Sequence, residues 1–509
     1  MKKIDVDDES LVLARRGDEY FAFSPHCTHY GGPLHEGVLH GHTVICPWHH
    51  ACFDIRTGIR EEPPALNSLS SYPVAVVDGR VVIELEPIKL PPTSSIGADQ
   101  TFVILGGGAA GQAAAEELRR LGFAGTLTIL SAASIVPVDR PNLSKAYMAG
   151  NAEPDWIPLR DEDWYRKQSI DLRLETRVTD IDAIQRIITT DSGDQIVFDK
   201  LLLATGSYPR TLSNTPGVDL EGIHTLRQKA DADRIIADID EGTQVTIVGA
   251  SFIGMEVAAS LGQRGAQITA IEVADVPFEA VLGKDVGRYL QQLHEENGVE
   301  FRLNTSVRHF IGEDGRVAGV GLTDGSLLKT DMVVIGIGVT PATDYLSGAD
   351  IAVYGADQSV LVNNDLQTSV PDIYAAGDIA RYPIVGGGTQ RIEHWRVAQQ
   401  QGFIAARNML DRDDDINQHV PFFWTTEWGT HLRYVGYASH WDEIIYRGDV
   451  EKGDFIAFYL SKNRLQAAAG IGRDAEMAAL NVIMKHRLPL TSDDMRDPDY
   501  DLIALARSS

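Results

Sequence analysis

Cysteine is scarce in this chain of 509 residues, and its scarcity excludes several kinds of chemistry. The three cysteines, Cys27, Cys46 and Cys52, all lie within one short N-terminal segment. The sequence contains no C-x-x-C pair for dithiol–disulfide exchange, and it has too few cysteines for a four-cysteine iron–sulfur cluster. Without a disulfide framework, a reducing compartment is the expected environment.

Basic residues and long apolar runs are also in short supply. Lysine and arginine number 45 against 72 aspartates and glutamates, which gives a formal net charge of −27. Such a charge disfavours binding to nucleic acid or to an anionic membrane. No apolar run reaches the roughly 18 residues that a membrane span needs, and the first residues lack the apolar core of a signal peptide. We therefore expect a cytoplasmic protein with several domains, because the chain is too long for one core.

The N-terminal cysteines alternate with histidines in two short motifs, Cys27-Thr-His29 and Cys46-Pro-Trp-His49. The two thiolates suit one iron and the two imidazoles another, which is the ligand set of a Rieske [2Fe–2S] centre. A structural zinc site is the alternative, but zinc fingers place their cysteines in one pair and their histidines in another. With the turn Gly31-Gly32-Pro33, the segment closely resembles the Rieske proteins.

The resemblance also indicates a subtype. High-potential Rieske proteins join their ligand loops by a disulfide and carry hydroxyl side chains after the second histidine. Here Gly32 and Trp48 stand at the disulfide positions, and Ala51 and Phe53 replace the hydroxyl residues. Loss of hydrogen-bond donors disfavours the extra electron, so we expect a potential toward the low end of the roughly −150 to +300 mV range. Cys52 either tunes the cluster or is a buried spectator.

A strand, a glycine turn and a helix occur twice further along the chain. Such a turn lets a pyrophosphate approach the backbone at a helix N-terminus, so each unit predicts a dinucleotide site. The predicted strands are 101–105 and 126–130, then 244–248 and 267–271, with helices expected at 112–121 and 255–263. The glycines of the two turns are Gly106, Gly108 and Gly111, then Gly249 and Gly254.

Four further motifs resemble the oxygenase-coupled ferredoxin reductases and the apoptosis-inducing-factor-like flavoproteins. They are Asp139-Arg140-Pro141-Asn-Leu-Ser144-Lys145, Leu203-Ala-Thr205-Gly206, Ala376-Gly377-Asp378 and Glu393-His394-Trp395. The resemblance covers nearly everything from residue 100 onward. It implies that the first unit holds FAD, with Thr205 and Gly206 among the contacts.

Individual roles follow from the same resemblance. Arg140 is expected to contact the phosphates and adenosine, Val178 the adenine through its backbone, and Asp378 the ribityl chain. Lys145 is expected near the flavin N5, where a cation stabilises reduced flavin, unless it is an ordinary surface lysine. Trp395 either packs beside the isoalloxazine or fills a hydrophobic core.

The first unit departs from the usual pattern at the adenosine ribose. Dinucleotide-binding folds normally place a carboxylate at the end of the second strand. Here the segment 130–133 offers only Ser131. Either the serine substitutes for the carboxylate or the affinity is lower, and the other motifs still favour FAD.

The second unit carries serine, Ser251, in place of its middle glycine, which crowds a pyrophosphate and favours weak nucleotide binding. Glu272 follows the second strand, where a carboxylate accepts hydrogen bonds from both ribose hydroxyls and repels a 2′-phosphate. NADH is therefore favoured over NADPH. Glu256 resembles the family glutamate that faces the nicotinamide, and we expect it to pair with Lys145.

These features predict a multi-domain chain: an all-β Rieske domain, α/β FAD- and NAD-binding Rossmann-like domains, and a C-terminal α+β domain. The N-terminal part contains β-like runs at 19–23, 43–46 and 80–85, and a Pro- and Ser-rich segment follows it. The expected boundaries are 1–86 for the Rieske domain, 87–99 for the linker, 100–215 and 339–415 for the two parts of the FAD-binding domain, 216–338 for the NAD-binding domain and 416–509 for the C-terminal reductase domain.

The leading hypothesis is an NADH-dependent flavoprotein that passes electrons through FAD to the fused Rieske cluster. A protein acceptor, an oxygenase or another metalloprotein, would then take them. The linker 87–99 would let the Rieske domain move between flavin and acceptor, and Phe423-Trp424 would line the route from flavin to cluster. The alternative is a redox-sensing flavoprotein with little turnover, like the apoptosis-inducing factors. The sequence contains no signal for the oligomeric state or the acceptor's identity.

Overall fold

The computed structural model describes residues 1–6, 9–91, 93–384 and 387–507. Its N-terminal part is built from short antiparallel strands. They form one sheet in the order β1-β2-β3-β8, a second in the order β4-β5-β6-β7, and the hairpin β9–β10, whose turn is Asp78-Gly79. The strands are β1 (Lys2–Val6), β2 (Glu9–Arg16), β3 (Glu19–Phe23), β4 (Val38–His40), β5 (Thr43–Ile45), β6 (Cys52–Asp54), β7 (Arg60–Glu62), β8 (Ser71–Tyr72), β9 (Val74–Val77) and β10 (Arg80–Ile83).

The next part is an α/β unit around a parallel sheet. Buried apolar strands form this sheet in the order β13-β12-β11-β17, as expected for a sheet covered on both faces. The elements are β11 (Thr101–Leu105), α1 (Ala109–Arg120), β12 (Thr126–Leu130), α2 (Arg140–Leu143), α3 (Ala146–Ala149), α4 (Glu162–Lys167), β13 (Ile170–Arg173), β14 (Val178–Asp182), β15 (Ile187–Thr190), β16 (Gln195–Val197), β17 (Lys200–Leu203) and β18 (Ser207–Pro209).

A second α/β unit repeats this plan. Its main sheet runs β19-β26-β20-β21-β22 with parallel pairing. The elements are β19 (Ile223–Thr225), α5 (Lys229–Ala237), β20 (Gln244–Val248), α6 (Phe252–Gln263), β21 (Gln267–Ile271), α7 (Glu279–Leu282), α8 (Lys284–Glu296), β22 (Glu300–Arg302), β23 (Val307–Glu313), β24 (Arg316–Leu322), β25 (Leu327–Lys329), β26 (Met332–Ile335) and β27 (Val339–Pro341).

The chain then returns to the first sheet, where a new strand, β29, pairs in parallel with β17. The long helix that follows, α9, packs along α1, so both helices cover one face of that sheet. The elements are β28 (Val360–Leu361), β29 (Ile373–Ala375), β30 (Ala380–Pro383), β31 (Thr389–Gln390) and α9 (Trp395–Met409).

The C-terminal part is an antiparallel sheet with helices packed on it. The strand order is β32-β33-β36-β35-β34, which gives an α+β unit. The elements are β32 (Phe422–Glu427), β33 (Thr430–Gly436), β34 (Glu443–Asp449), β35 (Asp454–Ser461), β36 (Arg464–Ile471), α10 (Asp474–His486), α11 (Ser492–Arg496) and α12 (Leu502–Arg507). Among the described residues, no helix is long and apolar enough to span a bilayer.

The strands of both dinucleotide units lie where the sequence predicts them, but the helices begin earlier. Helix α1 begins at Ala109 and α6 at Phe252, so Gly111 and Gly254 lie inside their helices. A Cβ on Gly111 would lie 1.9 Å from a backbone oxygen of Gly106, and the second helix repeats this close approach. These two glycines therefore allow each helix to pack closely against the preceding strand, and each helix begins before its glycine.

The segment 87–99 is attached at both ends. The amide of Ile88 donates to the carbonyl of Ser71 in the N-terminal part at 2.8 Å. Ile96 forms a β-bridge with Phe123 of the first α/β unit. Both ends of the segment are therefore hydrogen-bonded to the parts of the chain that they join, and the mobility expected of the linker remains a prediction.

Candidate redox site

The two predicted ligand loops converge at one end of the N-terminal part. The Nδ1 atoms of His29 and His49 lie 3.1 Å apart. Burial lowers the pKa of His29 to about 3 and that of His49 well below its usual value, so both rings are neutral, the form that binds a metal. Cys27 and Cys46 are buried and contact each other through their side chains.

Hydrogen-bond donors already surround one thiolate. The hydrogen bond from Cys27 lowers the pKa of Cys46 against the effect of burial, and the backbone amides of Trp48 and His49 lower it further. Among the described residues, no three Cys, His, Asp or Glu side chains gather to hold one metal ion. A two-iron cluster needs only two protein ligands per iron, so this donor set fits [2Fe–2S] better than zinc.

The positions that carry a disulfide in high-potential Rieske proteins are adjacent here. A Cβ on Gly32 would lie 3.2 Å from the Trp48 ring and 2.8 Å from Cys46 Sγ. The tryptophan ring therefore takes the place of a covalent bridge between the loops. Ala51 is fully buried and offers no hydroxyl.

Cys52 lies on β6 and packs toward the C-terminal part. It is buried in an apolar cluster with Val38, Ile45 and side chains of the C-terminal part, and its thiol donates weakly to the carbonyl of His50 at 3.5 Å. Burial raises the pKa of Cys52, so it remains a neutral thiol. Its surroundings are those of a packing residue.

A large cavity, about 2200 Å³, has Trp424 in its wall, and the ring of Trp424 lies against that of His49. Both glycine turns and the four motifs of the reductase resemblance contribute to its walls. The first turn requires glycine, because Gly106 has a φ of +104° and its Cβ would lie 2.3 Å from the carbonyl oxygen of Ala204. The turn leaves room for a pyrophosphate at the N-terminus of α1.

Arg140 lies over this turn. Its guanidinium is about 3.8 Å from the point that a Cβ on Gly108 would occupy. Burial, and next the charge of Arg227, lower the pKa of Arg140 to about 9. A buried cation beside a glycine turn is a fitting partner for phosphate oxygens, so this part of the cavity suits FAD.

Asp378 is fixed on the opposite wall. Its Oδ2 accepts hydrogen bonds from Ser207 Oγ and from Arg227, both at 2.7 Å. Burial opposes its ionisation, but Arg227 outweighs burial and holds the pKa of Asp378 below its ordinary value. No sequence motif identified Arg227, which orients Asp378 by its hydrogen bond and acts on Arg140 through its charge.

Other predicted FAD residues line the cavity as well. Thr205 Oγ1 donates to the carbonyl of Ala342 at 2.7 Å, and Gly206 has a φ of +73°. Val178, the first residue of β14, and Ser131 also line the cavity. Because position 131 is a serine, it offers no carboxylate to the adenosine ribose. Trp395 is half-buried at the start of α9.

Lys145 and Glu256 meet in the same cavity. Lys145 Nζ lies 2.7 Å from Glu256 Oε1, which is the expected pair. Glu256 also accepts hydrogen bonds from Ser144 and, at 2.7 Å, from Thr425. The carboxylate is therefore held by groups from both the first α/β unit and the C-terminal part.

The second glycine turn is similar to the first. Gly249 has a φ of +98°, and a Cβ there would lie 2.6 Å from the carbonyl oxygen of Gly336. Ser251 has extended backbone angles, so the serine is conformationally allowed, and its exposed side chain borders the cavity. Glu272 Oε2 accepts from the amide of Ala250 at 2.8 Å, which places the carboxylate beside the turn.

Trp424 joins the cavity to the cluster loops. Its ring centroid lies 4.4 Å from that of His49 and 5.9 Å from that of His29, and the side chain also lines the cavity. Tyr30 makes a second connection, since its ring stacks on His29 and its hydroxyl donates to Asp139. We call these five residues the cluster contact.

A second region fixes the N-terminal part on the reductase. Glu62 Oε2 accepts from the fully buried Arg396 at 2.9 Å, and Glu62 Oε1 contacts Lys485 and lies 3.6 Å from His419 Nδ1. Arg60 lies 3.3 Å from Glu116 of α1. We call Arg60, Glu62, Arg396, His419 and Lys485 the anchor. None of these five residues was predicted from the sequence, because charged residues so far apart in the chain form no local motif that indicates their contact.

Comparison with known proteins agrees with this layout. Residues 100–402 match the family model of the pyridine nucleotide-disulphide oxidoreductases, which covers more than half of the chain. The chain belongs to that family. Residues 1–73 match the Rieske [2Fe-2S] domain, and residues 422–506 match the reductase C-terminal domain.

Relatives of two kinds are similar to this reductase. Apoptosis-inducing factor 3 of Mus musculus is 34% identical over 491 residues, covering 93% of this chain and 80% of its own. Rhodocoxin reductase of Rhodococcus erythropolis is 33% identical over 409 residues, covering 80% of this chain and 95% of its own. In the crystal structure of the covalent putidaredoxin reductase–putidaredoxin complex, the matched chain is 31% identical with a TM-score of 0.77, covering 80% of this chain and 98% of that one.

The predicted fold class, enzyme class and cofactors are therefore confirmed. This family member is a ferredoxin-reductase-like oxidoreductase with an FAD- and NAD-binding region and a Rieske [2Fe–2S] domain. Despite the family name, the matched region 100–402 contains no cysteine, so no redox disulfide stands beside the flavin.

Proposed function

We propose that this reductase transfers electrons from NADH through FAD to its own Rieske cluster and then to an external protein acceptor. When bound, FAD takes hydride from NADH and releases electrons one at a time, and the [2Fe–2S] cluster accepts them singly. The protein holds these groups in order and keeps water away from them. No general base or nucleophile is required, which agrees with the absence of such a constellation from the sequence motifs.

The position of Trp424 carries the proposal. A single aromatic side chain lines the flavin cavity and lies against both ligand histidines. This contact supports a short path between the two redox groups within one chain. The anchor supports it further, because buried ion pairs hold the cluster loops beside the cavity.

The roles of individual residues form part of the proposal. Arg140 and the first glycine turn would bind the pyrophosphate of FAD, and Asp378 would hydrogen-bond its ribityl chain. Lys145 would supply positive charge near the flavin N5, with Glu256 balancing that charge in the oxidised state. Trp395 would flank the isoalloxazine. The domain boundaries expected from the sequence are proposed in the same way.

We further propose that the cluster has a low potential and that an oxygenase or another metalloprotein is the acceptor. Ala51 and Phe53 are fully buried and carry no hydroxyl to donate to the cluster. The relatives support the choice of acceptor: one is named as the ferredoxin–NAD⁺ reductase component of a biphenyl dioxygenase system.

Anaerobic reduction with NADH tests the electron path. The visible flavin absorbance and the electron paramagnetic resonance signal of the cluster are followed in the same sample. The proposal predicts that flavin bleaching is followed by the signal of a reduced Rieske centre. If the flavin is reduced while the cluster stays oxidised, the internal path does not exist.

Nucleotide preference depends on Glu272. Its carboxylate would accept from the adenosine ribose and repel a 2′-phosphate. We expect Glu272→Gln to lower the preference for NADH over NADPH about tenfold, equivalent to about 1.4 kcal/mol. The ratio of kcat/KM for the two nucleotides measures this, with Glu300→Gln, an exposed glutamate on β22, as the control. An unchanged ratio would remove Glu272 from nucleotide selection.

A redox-sensing role with little turnover is the second candidate. The match to apoptosis-inducing factor 3 includes the Rieske region and supports this candidate, as does the exposed Ser251 at the second glycine turn. Steady-state oxidation of NADH with an artificial acceptor separates the two functions. Rapid turnover would exclude the sensor, whereas a long-lived NADH complex with little turnover would exclude the electron-transfer enzyme.

A further inference from the structure

A buried hydrogen-bonded chain extends from Lys145 into the C-terminal part, beyond the pair that the family resemblance implies. Glu256 is followed by Thr425, whose Oγ1 lies 2.7 Å from Glu256 Oε1 and 3.2 Å from Glu427 Oε1. Glu427 Oε2 in turn lies 2.9 Å from His294 Nε2. Glu427 is 1% exposed and His294 is fully buried.

Trp428, at the end of this hydrogen-bonded chain, determines the protonation state of the His294 imidazole. Trp428 Nε1 donates to His294 Nδ1 at 3.0 Å, and an indole nitrogen is only a donor. Nδ1 must therefore be the acceptor nitrogen, and the ring proton lies on Nε2. His294 is neutral and donates its one proton to Glu427, so it brings no positive charge to the carboxyl.

The chain has too few hydrogen-bond donors for Glu256 and Glu427 to be ionised at the same time. Thr425 has one hydroxyl proton, yet carboxyl oxygens of both Glu256 and Glu427 lie within hydrogen-bond distance of its oxygen. Lys145 is the one cation in this hydrogen-bonded chain, and it contacts Glu256. With both acids ionised, one carboxylate oxygen would face a lone pair in a buried site, which is costly.

We propose that Glu427 is protonated in the oxidised protein and serves as a proton store for the flavin site. Its Oε1–H donates to Thr425 Oγ1, and Thr425 donates to Glu256 Oε1. With this one added proton, each oxygen that links Glu256, Thr425 and Glu427 has a hydrogen-bond partner. The hydrogen-bonded chain then contains one ionised carboxylate, Glu256, and one cation, Lys145. This inference rests on the proposed position of the flavin beside Lys145.

The stored proton has a use when negative charge enters the flavin site. Glu427 Oε1 gives its proton to Thr425 Oγ1, and Thr425 gives its own proton to Glu256 Oε1. One O–H bond breaks and one forms at each oxygen pair, with no change in total charge. The negative charge moves from Glu256 to Glu427, and the charge of Lys145 then becomes available to the flavin. Glu427 and Thr425 are thus positioning residues that set the charge beside Lys145.

Infrared spectroscopy of the oxidised holoprotein tests the proton count, because a protonated carboxyl has a C=O stretch distinct from that of a carboxylate. We expect Glu427→Gln to remove one carboxylic acid band, since glutamine copies the shape of the protonated acid. Glu313→Gln, an exposed glutamate on β23, should leave that band in place. If Glu427→Gln removes no such band, the proposal is wrong.

Two further variants keep the test decisive. Glu256→Gln should also remove the band, because Glu427 is then the one acid left for the one lysine and Thr425 is free to donate to it. A band retained in Glu256→Gln would contradict this charge balance. On chemical reduction by dithionite, the band of the wild-type protein should shift as the proton moves. In Thr425→Val it should stay unshifted, and a shift identical to wild type would exclude the bridge. These spectra need no NADH, so a failure of the NADH-to-cluster path leaves the result readable.

Discussion

The cluster contact and the anchor lie on the same side of the Rieske domain but differ in character. In the cluster contact, aromatic rings meet: His49 and Trp424 have centroids 4.4 Å apart. In the anchor, buried charges meet, as in the pair of Glu62 and Arg396 at 2.9 Å. The difference indicates that the two contacts have separate roles. Ion pairs connect the Rieske domain to the rest of the chain, and the proposed electron path uses the aromatic contact next to the cavity.

Glu62→Ala should have the largest effect, because it leaves the buried Arg396 and the exposed Lys485 without their carboxylate. Removing one partner of a buried ion pair costs about 3–5 kcal/mol. We expect the Rieske domain to lose its docked position, so that cluster reduction slows strongly while flavin reduction by NADH is unchanged. Stopped-flow absorbance and chemical denaturation measure the two effects.

Glu61→Ala is the matched control for that variant. The Glu61 side chain accepts from Thr43 within the Rieske domain, and only its backbone carbonyl faces Arg407. Equal losses of stability in both variants would mean that the ion pairs of the anchor do not hold the domain.

Trp424→Leu tests the other side of the comparison. Leucine keeps an apolar contact but removes the conjugated ring between cavity and histidines. We expect the rate of cluster reduction to fall about tenfold or more, equivalent to about 1.4 kcal/mol of activation free energy, with stability little changed. Trp156→Leu, at a tryptophan that is 67% exposed, is the control. An unchanged rate in Trp424→Leu would move the electron path elsewhere, for example to Tyr30.

The anchor should also respond to pH through His419. Burial lowers its pKa, but the hydrogen bond to Asp414 and the negative charge of Glu62 outweigh burial and raise it above the ordinary value. A raised folded pKa means that the stabilisation is complete below about pH 6.5 and is lost as pH rises through the folded pKa. Glu62 has a depressed pKa, so its own contribution is lost in the opposite direction, as pH falls.

Denaturation at several pH values measures this contribution. The wild-type protein should lose stability as pH rises above about 6.5, and His419→Gln should show a smaller loss over the same interval. Parallel pH profiles for the two proteins would contradict a charged His419 in the anchor. His440→Gln, at a histidine on the exposed surface of the C-terminal part, is the control.

Cys52→Ala should have the smallest effect. Its thiol packs between the Rieske domain and the C-terminal part, outside both the ion pairs and the histidine contact. We expect a loss of about 1 kcal/mol or less from the small cavity, with the cluster's potential and reduction rate unchanged. A shifted potential, measured by redox titration, would show that Cys52 tunes the cluster after all.

The comparison also shows what the sequence could predict. The candidate ligands Cys27, His29, Cys46 and His49 were proposed from motif spacing, and the strands of both dinucleotide units were predicted from apolar runs that end in glycine turns. Local patterns suffice for such features. The pairing of Lys145 with Glu256 was accessible through family resemblance alone.

The anchor and the proton-holding chain were beyond such reasoning. Glu62 and Arg396 are separated by 334 residues, and nothing near either residue identifies the other. His294, Thr425 and Glu427 look like ordinary polar residues of a helix and an edge strand. Their burial depends on how the parts of the chain pack together, and single-sequence patterns do not report packing between distant segments.

The central claim is that electrons pass from flavin to cluster within one chain. Rapid anaerobic mixing with saturating NADH, followed by freeze-quench electron paramagnetic resonance, tests it when repeated over a series of protein concentrations. A docked Rieske domain predicts that the reduced-cluster signal grows with the same first-order rate constant at every concentration. A rate that rises in proportion to protein concentration would show that electrons pass between molecules and would contradict the internal path.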